Sequence, residues 1–224
     1  MKALALLFMA FALQQAAAQS IEAARHSRPL AMGSLPPTEI TDDVQRLFIK
    51  QQWVPGTVLL KNNNTTLHFP LLFDVYSNQL YYQKAGLVME FLEPVEEFTL
   101  RIMRKNDSVD LLYRRGYPVF QKNNDATYYE VLVDGAYQLL RCKAKSIYLV
   151  KEEVPEEERT YQKELLFAYL PGGKLVLLKK DKDHVLAQMP EAAPAIERIA
   201  AQHKLKLKNE EQLVRLFTLL NKAG

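Results

Sequence analysis

The sequence has little cysteine, glycine or histidine, and no excess of charge of one sign. A single cysteine, Cys142, in 224 residues excludes an internal disulfide framework and every all-cysteine metal site. The four histidines (His26, His68, His184 and His203) include no pair at i, i+4 and no H-E-x-x-H. Glycine, at eight residues, forms no phosphate-binding loop, and no G-x-S-x-G elbow occurs. Lys plus Arg number 29 against 26 Asp plus Glu, for a formal charge of +3, which excludes the strongly basic character of a dedicated nucleic-acid binder. No apolar run reaches the ~20 residues of a membrane-spanning helix. What is present in quantity is apolar residue, 48%, enough to fold around a core.

The first residues, MKALALLFMAFALQQAAAQS, place Lys2 before an apolar run from Ala3 to Leu13 and then Ala16-Ala17-Ala18. A short positive region, an apolar stretch and a small-x-small site form the pattern of a secretory signal peptide. The expectation is a signal peptide over 1–18 and a mature chain from Gln19, soluble in the periplasm or outside the cell. Residues 19–40, punctuated by Pro29, Gly33, Pro36 and Pro37, read as an extended leader, and Thr41 as the cap of a short helix.

A β-rich domain is expected over 41–180. Apolar and aromatic runs at 58–60, 67–76, 79–83, 87–92, 98–103, 109–113, 128–133, 137–143, 164–170 and 174–180 alternate with turn clusters. No long helical pattern lies between them, so the fold class is α+β, mainly β: a curved antiparallel meander or partly closed barrel. Pro70 within the longest run marks an edge or a bulge. Residues 181–224 switch to helical period, with a short helix from Asp181 and then a C-terminal pair of short helices. The last is signalled by Asn209 and Gln212 in capping-box spacing before Leu213, Leu216, Phe217 and Leu220. These helices read as an appendage packed on the same domain. Asp181-Lys182-Asp183-His184 is read as the acidic start of a helix rather than a metal site, because hard cations want more oxygen ligands.

Apolar doublets recur along the strands: Leu59-Leu60, Leu71-Leu72, Leu111-Leu112, Leu139-Leu140, Leu165-Leu166, Leu177-Leu178, Tyr81-Tyr82 and Tyr128-Tyr129. Neighbouring strand residues point to opposite faces, so doublets imply a sheet covered on both sides. Asp134-Gly135 suits a two-residue type I′ turn, which would pair Val133 with Ala136 and Tyr129 with Leu140. One face of that hairpin then carries Tyr129, Val131, Leu140 and Cys142 into the core, making Cys142 a buried thiol. The other sets Tyr128 opposite Arg141 and Glu130 opposite Leu139, with Tyr137 beside the turn. Tyr and Arg are hot-spot residue types, so Tyr128, Glu130, Tyr137 and Arg141 are the candidate ligand- or partner-binding residues. No catalytic residue, metal ligand or cofactor is nominated.

The stretches Trp53-Val54-Pro55-Gly56-Thr57-Val58, Phe73-Asp74-Val75-Tyr76 with Gln79-Leu80, Arg115-Gly116-Tyr117-Pro118, and Tyr129-Glu130-Val131-Leu132 before the Asp134-Gly135 turn form a recognisable set. Together with the last helix they resemble exported Gram-negative envelope proteins of unassigned function. The resemblance spans most of the mature chain and rests on turn and core patterns. It implies the fold and the address and carries no site residues. The functional expectation is a non-enzymatic periplasmic or secreted binding module, whose partner is an unknown envelope protein or a small apolar ligand. The alternative is a carrier of a lipid or other apolar ligand in a cavity between sheet and helices, with a hydrolase ranked below both.

Overall fold

A computed structural model of the chain describes residues 27–29, 52–61, 66–75, 77–150 and 157–223, of which 27–29, 144–150 and 157–163 are described by backbone alone. The signal peptide, the capped helix at Thr41 and the leader apart from Ser27–Pro29 lie outside these residues. The fold is α+β and mainly β, an antiparallel sheet that is not closed, with three helices after it. Two compact units divide the chain, 1–110 and 111–224. The helices of 182–223 belong to the second.

In the first unit, β1 (Ser27–Pro29), β2 (Val54–Leu60), β3 (Thr66–Asp74), β4 (Gln79–Lys84), β5 (Leu87–Phe91) and β6 (Val95–Met103) lie in the order β1-β5-β4-β3-β2-β6. All the pairings described there are antiparallel. β5 and β6 are four strand spacings apart in that order, about 19 Å in a flat sheet. Only Leu92–Pro94 separate them in the chain, and the four Cα steps from Phe91 to Val95 reach about 15 Å at most. The sheet therefore curls. Aromatic rings from strands that are not neighbours meet on its concave side: Phe69 of β3 and Phe91 of β5 at 6.3 Å, Phe73 of β3 and Phe98 of β6 at 5.1 Å. Tyr82 lies against both Phe69 and Phe91, at 4.4 and 4.6 Å. The convex side carries a smaller apolar group in which Trp53 and Val88 pack on Leu72 and Tyr81.

β7 (Ser108–Arg114) carries the boundary between the units. In the second, β8 (Tyr129–Val133), β9 (Gln138–Val150), β10 (Glu157–Leu170) and β11 (Lys174–Leu178) follow one another as a meander. The helices α1 (Lys182–Gln188), α2 (Ala193–Gln202) and α3 (Glu210–Ala223) come after it. Asp181 caps α1, its carboxylate accepting from His184 N at 2.9 Å. Asn209 accepts from Gln212 N at 2.9 Å ahead of α3, as the capping box requires. The reciprocal bond goes elsewhere: Gln212 Oε1 accepts from Lys206 N at 3.0 Å and Lys208 N at 3.4 Å.

The doublets find their explanation in this unit. Leu139, Leu166, Ala168, Val176 and Leu178 face the helices, where Val185, Met189, Ile196, Ile199, Leu213, Leu216 and Phe217 bury them. Leu140, Phe167, Leu175 and Cys142 face the other way, under Tyr117 and Phe120 of the connection between β7 and β8. Tyr129 joins this second layer through edge-to-face contacts with Tyr117 at 5.3 Å and Phe167 at 5.4 Å. A sheet buried on both sides reads as adjacent apolar residues rather than alternation.

Candidate functional site

The four residues nominated from sequence fall on or beside the helix-facing side of β8 and β9. Their register differs from the expected one. Glu130, not Tyr128, stands opposite Arg141; Val131 pairs with Leu140, and a bulge between Val131 and Val133 sets Val133 against Leu139. The connection is four residues, Asp134 to Tyr137, instead of a two-residue type I′ turn. The reason lies in α3. Asn221 Nδ2 donates to the carbonyls of Asp134 at 3.2 Å and Tyr137 at 2.9 Å, and Asn221 Oδ1 accepts from Tyr137 N at 2.9 Å. The loop is closed by a side chain from 84 residues away rather than by its own backbone. Gly135 takes φ 142 here, and a Cβ on it would sit 2.6 Å from Asn221 Nδ2. Asp134 is fixed from the other side by Arg114, whose Nη1 and Nη2 donate to its two oxygens at 2.9 and 2.8 Å.

Glu130 is the buried carboxylate of this face, 3% exposed. Arg141 donates to it from Nε at 3.0 Å and from Nη2, and gives Nη1 to Glu210 of α3 at 2.9 Å. Lys143 Nζ lies 3.5 Å from Glu130 and 3.9 Å from Glu164. The Tyr113 hydroxyl donates to Glu130 Oε2 at 3.4 Å, and its pKa is driven well above 10 by burial and then by that carboxylate. A buried carboxylate held by two cations has its charge compensated, and removing Arg141 would leave it only Lys143 and the Tyr113 hydroxyl. Tyr137 packs half-buried against the helix-side core and is tied to Asn221. Tyr128, also buried, lies with its ring 5.9 Å from the Arg115 guanidinium; burial pushes its pKa up to about 12, with Arg115 opposing. The structure thus brings Glu130 and Arg141 together, with α3 over them, and leaves Tyr128 and Tyr137 in separate contacts. Each of the four is engaged within the protein.

Cys142 lies on the face expected for it, buried, with Asn123 Nδ2 3.6 Å from its sulfur. Burial raises the thiol pKa, and the Asn123 contact opposes that rise. This is the environment of a core thiol rather than a nucleophile.

A concavity among the described residues lies elsewhere, in the first unit. A groove of about 350 Å³ runs over β3, β2 and β6. Strand pairing builds it row by row. Pro55 of β2 is the direct partner of Pro70 of β3, and Thr57 is the partner of His68 on one side and Thr99 on the other. Neither proline has an N–H to give the ladder. Pro70 lies one residue beyond the last described β3–β4 pair, Leu71 with Tyr82, so it is free of a β4 partner although β3 is an inner strand rather than an edge. Gly56 lets the strands approach, since a Cβ there would collide with the Thr99 carbonyl oxygen and the Leu71 side chain. Phe69 lies between these rows along β3, with its ring turned to the concave side against Tyr82 and Phe91.

The groove's polar groups are few. The Thr57 and Thr99 hydroxyls share a hydrogen bond at 2.7 Å, and Thr57 N donates to Thr99 Oγ1 at 3.3 Å. Thr57 is therefore bonded to a hydroxyl that cannot serve as its base. Arg101 forms a two-pronged pair with Asp110, Nε to Oδ1 at 2.8 Å and Nη2 to Oδ2 at 2.9 Å. That hydrogen bonding holds Asp110 below the usual carboxylate range. His68 is exposed at the rim. Sequence reasoning placed Pro70 in the 67–76 run, left Pro55 ahead of the 58–60 run, and missed that the two face each other. The described residues hold no group of three metal-ligating side chains. No helix among them is long and apolar enough to cross a membrane. Compared with protein-family models, curated proteins and solved structures, the chain matches none.

Proposed function

We propose that this protein is a non-enzymatic binding module, exported to the periplasm or cell exterior, and that it receives its ligand or partner in the groove over β3, β2 and β6. The observation that carries the reading is the groove itself. Its volume of about 350 Å³ lies within the range of ligand sites. Its walls are proline carbon, with two threonine hydroxyls and an imidazole to fix orientation. That mix suits recognition, because apolar walls supply affinity and a few placed polar groups supply specificity. The resemblance to exported envelope proteins supports the address. The space between sheet and helices is filled by buried leucine, isoleucine and phenylalanine, which favours a module over a carrier with a cavity at that place.

The test is site-specific photo-cross-linking in intact cells. A photoreactive residue in place of His68 should capture a defined adduct, while one in place of exposed Lys174, on β11, should not. Adding Thr99→Trp, which fills the groove floor, should abolish the His68 adduct. Identical adducts from both positions, or an adduct indifferent to Thr99→Trp, would remove the groove from consideration.

A further inference from the structure

The connection between α2 and α3 reads His203-Lys204-Leu205-Lys206-Leu207-Lys208. Burial alternates along it: Leu205 and Leu207 are buried in the core beneath the helices, and Lys204, Lys206 and Lys208 are exposed. This alternation owes nothing to sheet pairing, because the segment belongs to no strand. It is imposed from inside. The two leucines anchor it, Leu205 N donates to Ala200 O at 2.9 Å, and Gln212 Oε1 takes the amides of Lys206 and Lys208. Lys204 and Leu207 adopt φ 54 and 55, a region non-glycine residues seldom occupy, so tertiary anchors rather than local preference set the path.

The three ammoniums stand on a fixed backbone with no ion pair among the described residues. Glu210, the first acid after them, is taken by Arg141 at 2.9 Å. Glu211, exposed in the first turn of α3, is the one other carboxylate between 203 and 211. Like charges held in a row repel one another, and an opposing layer of anions relieves that repulsion.

We propose that Lys204, Lys206 and Lys208 dock this protein electrostatically onto an anionic lipid surface. The lysines stand at alternate positions of a segment whose leucines are buried, so they form an exposed row. A small anion has a single centre, whereas a bilayer presents a layer of phosphates along the whole row. A formal charge of only +3 over 224 residues argues against nucleic acid as the polyanion. Because both leucines are spent in the core, the contact is one of charge at the headgroups rather than insertion. The inference is independent of the groove and stands if the groove has no ligand.

Sedimentation with vesicles tests it. The full chain should partition more strongly to vesicles of equal parts phosphatidylcholine and phosphatidylglycerol than to phosphatidylcholine alone. The ratio of the two, which cancels any apolar contribution of residues 3–13, is the measured quantity. Lys204→Gln/Lys206→Gln/Lys208→Gln should reduce that ratio by roughly a hundredfold at low salt, about fivefold per lysine. Added salt should reduce it in the wild type by screening. Lys61→Gln/Lys105→Gln/Lys174→Gln, an equal loss of charge at exposed positions elsewhere, should leave most of it. Equal ratios for the two triple variants, no preference for anionic vesicles, or binding to soluble polyphosphate without binding to vesicles would each overturn the proposal. Unchanged thermal unfolding of both variants establishes that the comparison is between folded proteins.

Discussion

The link between α3 and the β8–β9 connection can be measured through Asn221 and Gly135. Asn221→Ala removes three hydrogen bonds, two with the Tyr137 backbone at 2.9 Å and one with the Asp134 carbonyl at 3.2 Å. The Tyr137 pair is partly buried; the Asp134 bond is exposed, where water takes over the lost partner. At ~0.5–1.5 kcal/mol net for each bond, the expected loss is about 2 kcal/mol. Gly135→Ala carries two separate costs. One is the backbone conformation, φ 142, which a side chain disfavours by ~1–3 kcal/mol. The other is collision, with the new Cβ 2.6 Å from Asn221 Nδ2 and 2.7 Å from Cγ. In the Asn221→Ala background those atoms are gone and only the backbone cost remains. The double variant should therefore be less destabilised than the sum of the singles by about 1 kcal/mol or more. Urea unfolding followed by circular dichroism reads this in the second unit, where all the described helices lie. Trp53, the single tryptophan, reports separately on the first unit by fluorescence. Additivity within ~0.3 kcal/mol, or a loss below ~0.5 kcal/mol for Asn221→Ala, would refute the account of the loop.

Phe217 is fully buried beneath the helices, so Phe217→Ala should cost ~3–5 kcal/mol in the same urea titration, and an unchanged midpoint would show α3 loosely held. Cys142, buried and with its thiol pKa raised, should react with a disulfide reagent far more slowly in native protein than in denaturant; equal rates would contradict its placement. The Asp134 carboxyl is held below its usual range by the Arg114 hydrogen bonds and then by the Gly135 amide. A carboxyl lowered on folding stabilises above its unfolded pKa and loses that contribution as pH falls through the folded value. The stability gap between wild type and Asp134→Asn should therefore narrow from neutral pH toward ~pH 3, by under about 1 kcal/mol because the pair is half-exposed. A gap that is constant with pH would mean the Arg114 pair contributes nothing.

Local signals were the legible ones. Apolar runs between turn clusters located ten strands, from Val54–Leu60 through Lys174–Leu178, but stopped seven residues short of the end of Gln138–Val150 and began seven residues late on Glu157–Leu170, where the sequence turns polar. The stripe Leu213, Leu216, Phe217 and Leu220 located α3, because its period is a property of neighbours in the chain. The doublets went further and required two covering layers. They could not say that Tyr117 and Phe120, in a stretch free of regular period, would form one of them. The groove was illegible because its rows, Pro55 with Pro70 and Thr57 with His68 and Thr99, exist only once register is known.

The hairpin face shows how a non-local contact overrides a sound local rule. Asp-Gly favours a two-residue turn, and taken alone that turn sets Tyr128 against Arg141. Asn221 supplies the loop with hydrogen bonds that its own backbone would otherwise have to make, so the four-residue connection loses nothing by being longer. The pairing moves by two residues, which preserves the faces of Tyr129, Val131, Leu140 and Cys142 but changes every cross-strand partner. One signal in the sequence did point to the burial of Arg141. Leu139 and Arg141 share a face by strand alternation, and Leu139 requires a cover that the α3 stripe provides. A helix lying over Leu139 must approach Arg141, and the charge it meets there needs an acid on the helix. Glu210, in the first turn of α3, is that acid.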